Sequence, residues 1–456
     1  IFFRCFGMLS YDELAELNER VTSVQDWCLQ NGLRIHGVTG TVYPDCGCGV
    51  VAQQDILDGD DLAIVPQNLI VSTIAARKST YLKELLQAVT LVPIQIISLY
   101  LITERSLGNE SFWKLWLEVL PKSFENLLYF NTQELAQVRN PARIKKVIRE
   151  QQRAQALWRD LVEKLNTYIK DLPEDGTRDV LENALHRCSW EAFLWAYSNL
   201  MSRGFYYDVD SAAQDVWAMM PWVDFFNYAP GGDHVHTFMS GTSFCFRSIG
   251  SEWVEGEQIL LKYGSYSNFE LMLWYGFAIP DCVRYPLSPL QGPSGERDGE
   301  SEDWMLEAFT AVHEHARDTA AFKAAFKYAE DWPSRLKIAE AQGWGADWWI
   351  GPRAVTNSLA TALRLLTVPS PELVFLNKHS TLATTSPEAL LLLQALCATE
   401  LARFRDPDGD PASEGCNPRH LELGKALAQE ESGVLRGVVE ASLDALKRYQ
   451  VVSVVS

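Results

Sequence analysis

The chain has 456 residues, too many for one ordinary compact core and enough for two or three domains. Hydrophobic residues make up 47% and charged residues 22%, the balance of a folded globular protein rather than a disordered chain. A formal net charge of −19 repels phosphate backbones, which argues against a nucleic-acid partner, and it would attract a basic protein segment.

Residues 10–32 read as a helix. Ser10 and Glu13 have the spacing of a capping box, Leu14, Leu17, Val21, Val24 and Cys28 share one face, and Gly32 supplies the stop. Short β-branched runs follow. Strands are expected near 38–43, 49–53 and 62–66, with the turn Leu57-Asp58-Gly59-Asp60 between the last two. From about 80 to 202 the signal is helical. Its most apolar run, 88–102, contains Pro93 and Gln95 and is short for a membrane span, so a buried helix and no membrane partner are expected. Residues 140–172 read as long exposed helices, 173–176 as a loop and 190–201 as a further helix. Strand signals return over 237–263, where 242–247 alternates and Gly256-Glu257-Gln258 precedes an apolar run. If both strand blocks form one β fold, the region between them is an insertion.

Residues 291–303 are rich in Gly, Ser, Glu and Asp and read as a linker. The rest is helical, with helices near 304–329, 355–366, 387–404 and 421–449. In the loop 406–415, Asp406, Asp408 and Asp410 are interrupted by Pro407 and Pro411, which favours a plain surface loop over a calcium site. The fold class is therefore α+β. A 33–290 domain follows an N-terminal helix and carries a helical insertion at about 80–200; an all-α region spans 304–456.

Nine cysteines, an odd number scattered along a large chain, suggest reduced thiols and an intracellular location, cytoplasmic or nuclear, or chloroplast if the source is photosynthetic. No signal-peptide pattern is visible, and Ile1 in place of Met suggests a trimmed or processed form. No metal is expected. Cys46 and Cys48 lack a partner pair, and His234 and His236 lack a third ligand. There is no P-loop, dinucleotide fingerprint or Gly-x-Ser-x-Gly elbow.

Three segments can carry chemistry. Cys46-Gly47-Cys48-Gly49 precedes a strand, where glycines allow either a tight turn or close approach of a ligand. Asp224 and Asn227 interrupt the apolar run Pro221-Trp222-Val223-Asp224-Phe225-Phe226-Asn227-Tyr228; if buried, both need hydrogen bonds, from capping or from a polar ligand. Tyr263 follows the run Ile259-Leu260-Leu261, ahead of a short helix capped by Ser267 and Glu270 and closed at Gly276. It therefore occupies a loop between rigid elements.

In this order the segments resemble the SET-domain family, in the branch that includes the Rubisco large-subunit lysine methyltransferase and its non-histone relatives. "GCGVVAQQDILDGDDLAIVPQNLIVS" resembles the opening strands and "LYLITERSLGNESFWKLWLEVLP" the helical insertion. "FLWAYSNLMSRGF" resembles the exit from that insertion and "GEQILLKYGSYSNFELMLWYGF" the closing motif. "VTNSLATALRLL" resembles part of the helical substrate-binding domain. The resemblance implies methyl transfer from S-adenosylmethionine to a protein side-chain nitrogen, with lysine the main expectation, by a monomer without metal. Gly47, Cys48, Gly49, Arg203, Asn227 and Tyr228 would meet the cofactor, and Tyr263 would be catalytic. Phe205, Asp224 and Tyr275 would line the target pocket. Two positions depart from the family pattern: Tyr228 replaces the usual histidine, and Cys46 stands where relatives often carry an acid. A histidine target and a non-catalytic protein-binding module are the alternatives.

Overall fold

A computed structural model describes residues 3–4, 10–172, 176–207, 217–228, 234–279, 282, 284–287, 308–312, 314, 327, 329–341, 348–351, 355–367, 387–405 and 415–455. The expected linker at 291–303 and most of the loop at 406–415 lie outside these residues, as do most of the helix at 304–329 and residues 173–175 of the first loop.

The opening helix spans Tyr11–Gln30, and its capping box is formed: the Glu13 amide donates to the Ser10 hydroxyl, and the Glu13 carboxylate accepts from the Ser10 amide at 2.8 Å. Val21, Val24 and Cys28 are buried, while Leu14 and Leu17 are only half-buried. Strand Val38–Tyr43 returns antiparallel as Gly47–Ala52, pairing Tyr43 with Gly47 and Val38 with Ala52.

The two strand blocks form shared sheets. Gly47–Ala52 pairs with Gln258–Leu261, and Asp61–Val65 pairs with Ser243–Ser248, whose other neighbour is Val235–Ser240. Everything from about residue 73 to 203 is thus inserted into one β fold. His234 and His236 lie just before and within strand Val235–Ser240. The strand Gln258–Leu261 also runs parallel to Asn227–Tyr228, with Leu260 opposite Asn227 and Leu261 opposite Tyr228. This register delivers the chain beyond Leu261, including Tyr263, to the side of Asn227.

The apolar run of the insertion is helix Pro93–Leu107, buried from Gln95 through Glu104. Gln95 donates to the Leu157 carbonyl at 2.9 Å and to Asp160 at 2.8 Å, which lets a polar side chain occupy the core. Among the described residues no helix is long and apolar enough to cross a membrane. The charged stretch expected as long exposed helices is one helix, Pro141–Lys170, and it is not simply exposed. Its inner face buries Arg143, Lys146 and Glu150 beside Val147, Leu161 and Leu165. Charge density concealed an amphipathic helix because pairing makes the buried charges tolerable; Lys146 lies 3.0 Å from Glu150.

A second core forms from helices Asn357–Thr367, Pro387–Leu401 and Pro418–Val455, centred on Leu363, Leu392, Leu396 and Leu435. Strand Tyr285–Pro286 belongs with this core and pairs with Trp349–Ile350.

Candidate functional site

The site grows from three strand ends and one helix end. Gly47 has φ of +65°, a left-handed conformation that only glycine adopts readily, and it starts the strand that follows Cys46. Gly49 is glycine for another reason: a Cβ there would fall 2.5 Å from the Tyr43 ring and 2.9 Å from Gln258 Nε2. Of the expected Gly47, Cys48 and Gly49 trio, the first two line the main cleft. Gly49 packs beneath Tyr43, outside the residues that line it.

Trp222 is fully buried and also left-handed, with φ of +72°; its Nε1 donates to Gln25 Oε1 at 2.8 Å. This unusual conformation starts the short turn Val223–Phe225 and aims Asp224 and Asn227 into the site. Asn227 Nδ2 donates to the Cys48 carbonyl at 2.9 Å and approaches Cys46 Sγ at 3.4 Å, tying the two segments together. Arg203 ends helix Trp190–Arg203. It donates to the Asp224 carbonyl at 3.0 Å and lies 3.5 Å from Asp224 Oδ2, which also accepts from Trp116 Nε1 at 3.1 Å. Burial raises the Asp224 carboxyl above its ordinary range, while Arg203 and Trp116 pull it back down. Asp224 Oδ1 and Arg203 Nε are both buried without a hydrogen-bond partner among the described residues. The site therefore holds polar groups that a ligand could satisfy.

Tyr263 donates to the Phe226 carbonyl at 2.5 Å, and its ring stacks on Tyr275 with centroids 5.2 Å apart. Tyr275 closes a π-helical turn, Leu271–Tyr275, which ends at left-handed Gly276. Burial pushes the Tyr275 hydroxyl well above its usual pKa, so it stays protonated. Tyr228 packs 5.4 Å from the Tyr263 ring, and its hydroxyl donates to the Gly264 carbonyl at 3.3 Å. Its own hydroxyl is pushed up to about 12 by burial. It lines neither cavity described next and acts as a wall behind Tyr263.

Two cavities meet here. The first, about 500 Å³, is lined by Gly47, Cys48, Arg203 and Asn227, and by the insertion segment from Glu118 to Glu125. Charged groups of both signs, Arg20, Lys122, Glu118 and Glu125, surround it, so it fits a ligand with both charges. The second, about 450 Å³, is aromatic, with Phe205, Trp217, Phe226, Phe238, Phe244 and Tyr266 on its walls. Both share Ser202, Arg203, Asp224, Tyr263 and Tyr275, so the expected catalytic tyrosine stands at their junction. Phe205 lines the aromatic cavity and Asn227 the polar one.

Arg20 and the 118–125 segment escaped the sequence reading. Arg20 occupies an otherwise exposed helix face, and Pro121 only marks the end of helix Lys114–Val119. Among the described residues no cluster of His, Cys, Asp or Glu could hold a metal ion.

No family profile matches the chain. It is 24% identical over 252 residues to SET domain-containing protein 4 of Mus musculus, covering 54% of each chain. It is 23% identical to the actin-histidine N-methyltransferase of Drosophila melanogaster, over 58% of this chain and 50% of that one. The chain thus spans about half the length of the curated relatives it matches. Among solved structures it resembles the SET domain of LSMT bound to lysine and AdoHcy, at 19% identity and a TM-score of 0.57, over 93% of this chain and 91% of that one. Rubisco LSMT bound to AdoMet gives 20% identity and a TM-score of 0.56, over 94% and 92%. The chain thus has the SET fold of these structures, with a helical insertion and a helical C-terminal region, and its sequence is similar to a SET domain-containing protein and to actin-histidine N-methyltransferases.

Proposed function

We propose that this chain is an S-adenosylmethionine-dependent protein N-methyltransferase and that its target is a lysine side chain on a non-histone protein. The observation that carries this reading is the meeting of a polar, glycine-edged cleft with an aromatic channel at Tyr263 and Tyr275. One cavity suits a charged cofactor and the other suits the hydrocarbon stem of a lysine. Solved structures of similar fold are bound to AdoMet, AdoHcy and lysine, the two kinds of ligand this reading assigns.

The cofactor supplies a methyl group on a positively charged sulfur, an excellent leaving group. The chain's residues then have three tasks. Asn227, Gly47, Cys48 and Arg203 hold the donor. The aromatic walls exclude water and desolvate the incoming ammonium, which lowers its pKa and favours the neutral, nucleophilic amine. Tyr263, fixed by the Phe226 carbonyl, orients the amine in line with the methyl group, and the rings can hold a cationic product by cation–π contact.

Calorimetric titration with S-adenosylmethionine tests the reading. Micromolar binding that is lost in Asn227→Ala supports it, and an absence of binding by the unmodified chain sinks it. A second reading, a histidine target, is favoured by the similarity to actin-histidine N-methyltransferases. Mass spectrometry of a methylated protein partner distinguishes the two.

A further inference from the structure

Two cysteines flank a single glycine at the edge of the polar cleft. Cys46 and Cys48 both line it, separated only by Gly47, whose left-handed backbone turns the chain between them. Cys46 Sγ is approached by two amide donors, Asn227 Nδ2 at 3.4 Å and Gln258 Nε2 at 3.7 Å. Asn227 also donates to the Cys48 carbonyl, so one side chain reads the positions of both cysteines. Cys46 is buried, like Cys28, Cys188, Cys245, Cys282 and Cys397, whereas Cys48 is half-buried, so within the pair Cys48 is the thiol that solvent reaches.

We propose that Cys46 and Cys48 form a dithiol modification site that closes the cleft on oxidation by a low-molecular-weight disulfide. This rests on the reading of that cleft as the S-adenosylmethionine site. The half-buried Cys48 thiolate attacks the small disulfide, forms a mixed disulfide and expels one small thiolate. The Cys46 thiolate then attacks the Cys48 sulfur, forms the Cys46–Cys48 bond and expels the second. The two protons lost by the cysteines end on the two released thiols, and the small disulfide is reduced by two electrons. A disulfide across a single residue is strained and therefore easily reduced, the property of regulatory rather than structural bonds. Drawing the Cys46 sulfur toward Cys48 withdraws it from Asn227 and Gln258. It also twists the Cys48 carbonyl away from Asn227, which removes the anchor of the cofactor cleft.

The test uses the full chain, treated with oxidised glutathione or kept in dithiothreitol, with peptide mapping and S-adenosylmethionine calorimetry on both forms. A mapped Cys46–Cys48 disulfide, with binding lost on oxidation and restored by dithiothreitol, is the expected result. A glutathione adduct that stops at Cys48, no modification of the pair, or unchanged binding in the disulfide form would each overturn the proposal. So would oxidant-sensitive binding in Cys48→Ala, which lacks the attacking thiol, whatever that variant's own affinity. If the reduced chain binds no S-adenosylmethionine, the functional reading fails separately, and mapping still decides whether the dithiol forms.

Discussion

Arg143, on the long insertion helix, and Glu431, on the last helix, meet as a buried ion pair with Nε 3.4 Å from Oε1. Arg143 also donates to the Pro286 carbonyl at 2.8 Å, and its guanidinium covers the rings of Phe269 and Tyr285 at 4.9 and 5.0 Å. One side chain therefore joins the insertion, the closing motif of the SET fold and the C-terminal helices. Tyr285, which accepts from Asn140 and donates to Glu400 at 3.0 Å, extends the same junction.

Stability should fall as pH rises toward neutrality, because Glu431 is costly to ionise. Burial raises its pKa from 4.5 to about 7, an effect only partly offset by Arg143 and reinforced by the nearby carboxylates Glu270 and Glu400. An acid whose folded pKa lies above its unfolded value contributes stability that is complete below about pH 4.5 and lost as pH rises through about 7. The loss is on the order of 3 kcal/mol for a shift of this size. Glu431→Gln should flatten urea midpoints across that window, and an unchanged slope would contradict the assignment.

Arg143→Leu should destabilise the chain more at pH 8 than at pH 5. At the higher pH it strands an ionised Glu431 in the core, a penalty of about 3–5 kcal/mol for a broken buried pair. At the lower pH the carboxyl is protonated and the penalty shrinks. Equal losses at both values would mean that packing against Phe269 and Tyr285 dominates.

Tyr263→Phe should bind S-adenosylmethionine nearly as the parent does and lose methyl transfer roughly a hundredfold, the scale of removing one preorganised polar group from a reaction centre. Single-turnover assays beside calorimetry separate the two effects. Full activity in this variant would reduce Tyr263 to a packing residue.

Gly47→Ala and Gly49→Ala should fail differently. Alanine at 47 is forced into a left-handed backbone at the cleft edge, which costs roughly 1–2 kcal/mol and weakens cofactor binding. Alanine at 49 collides with the Tyr43 ring, outside the cleft, so it should lower the melting temperature, at about 1–3 kcal/mol, more than it lowers affinity. The two variants, compared by thermal unfolding and calorimetry, should separate cleanly.

The sequence by itself determined the local elements and the order of the motifs. The Ser10–Glu13 and Ser267–Glu270 capping boxes, the strand Val38–Tyr43 and the stop at Gly276 depend on interactions within a few residues, so their signals survive in one dimension. Tyr263 was legible for the same reason: it follows a strand and precedes a capped helix.

Only the tertiary structure decided which of those residues meet. Asn227 reaches Cys48 across 179 positions of chain, and Trp116 reaches Asp224 across 108, contacts for which local periodicity holds no trace. The folded hairpin, with Gln258 packed against it, also separated Gly47 from Gly49, identical in sequence terms but left-handed at one position and crowded by Tyr43 and Gln258 at the other. The same holds for the charged helix Pro141–Lys170, whose Arg143 reads as a solvated residue until Glu431, almost three hundred positions away, arrives to neutralise it.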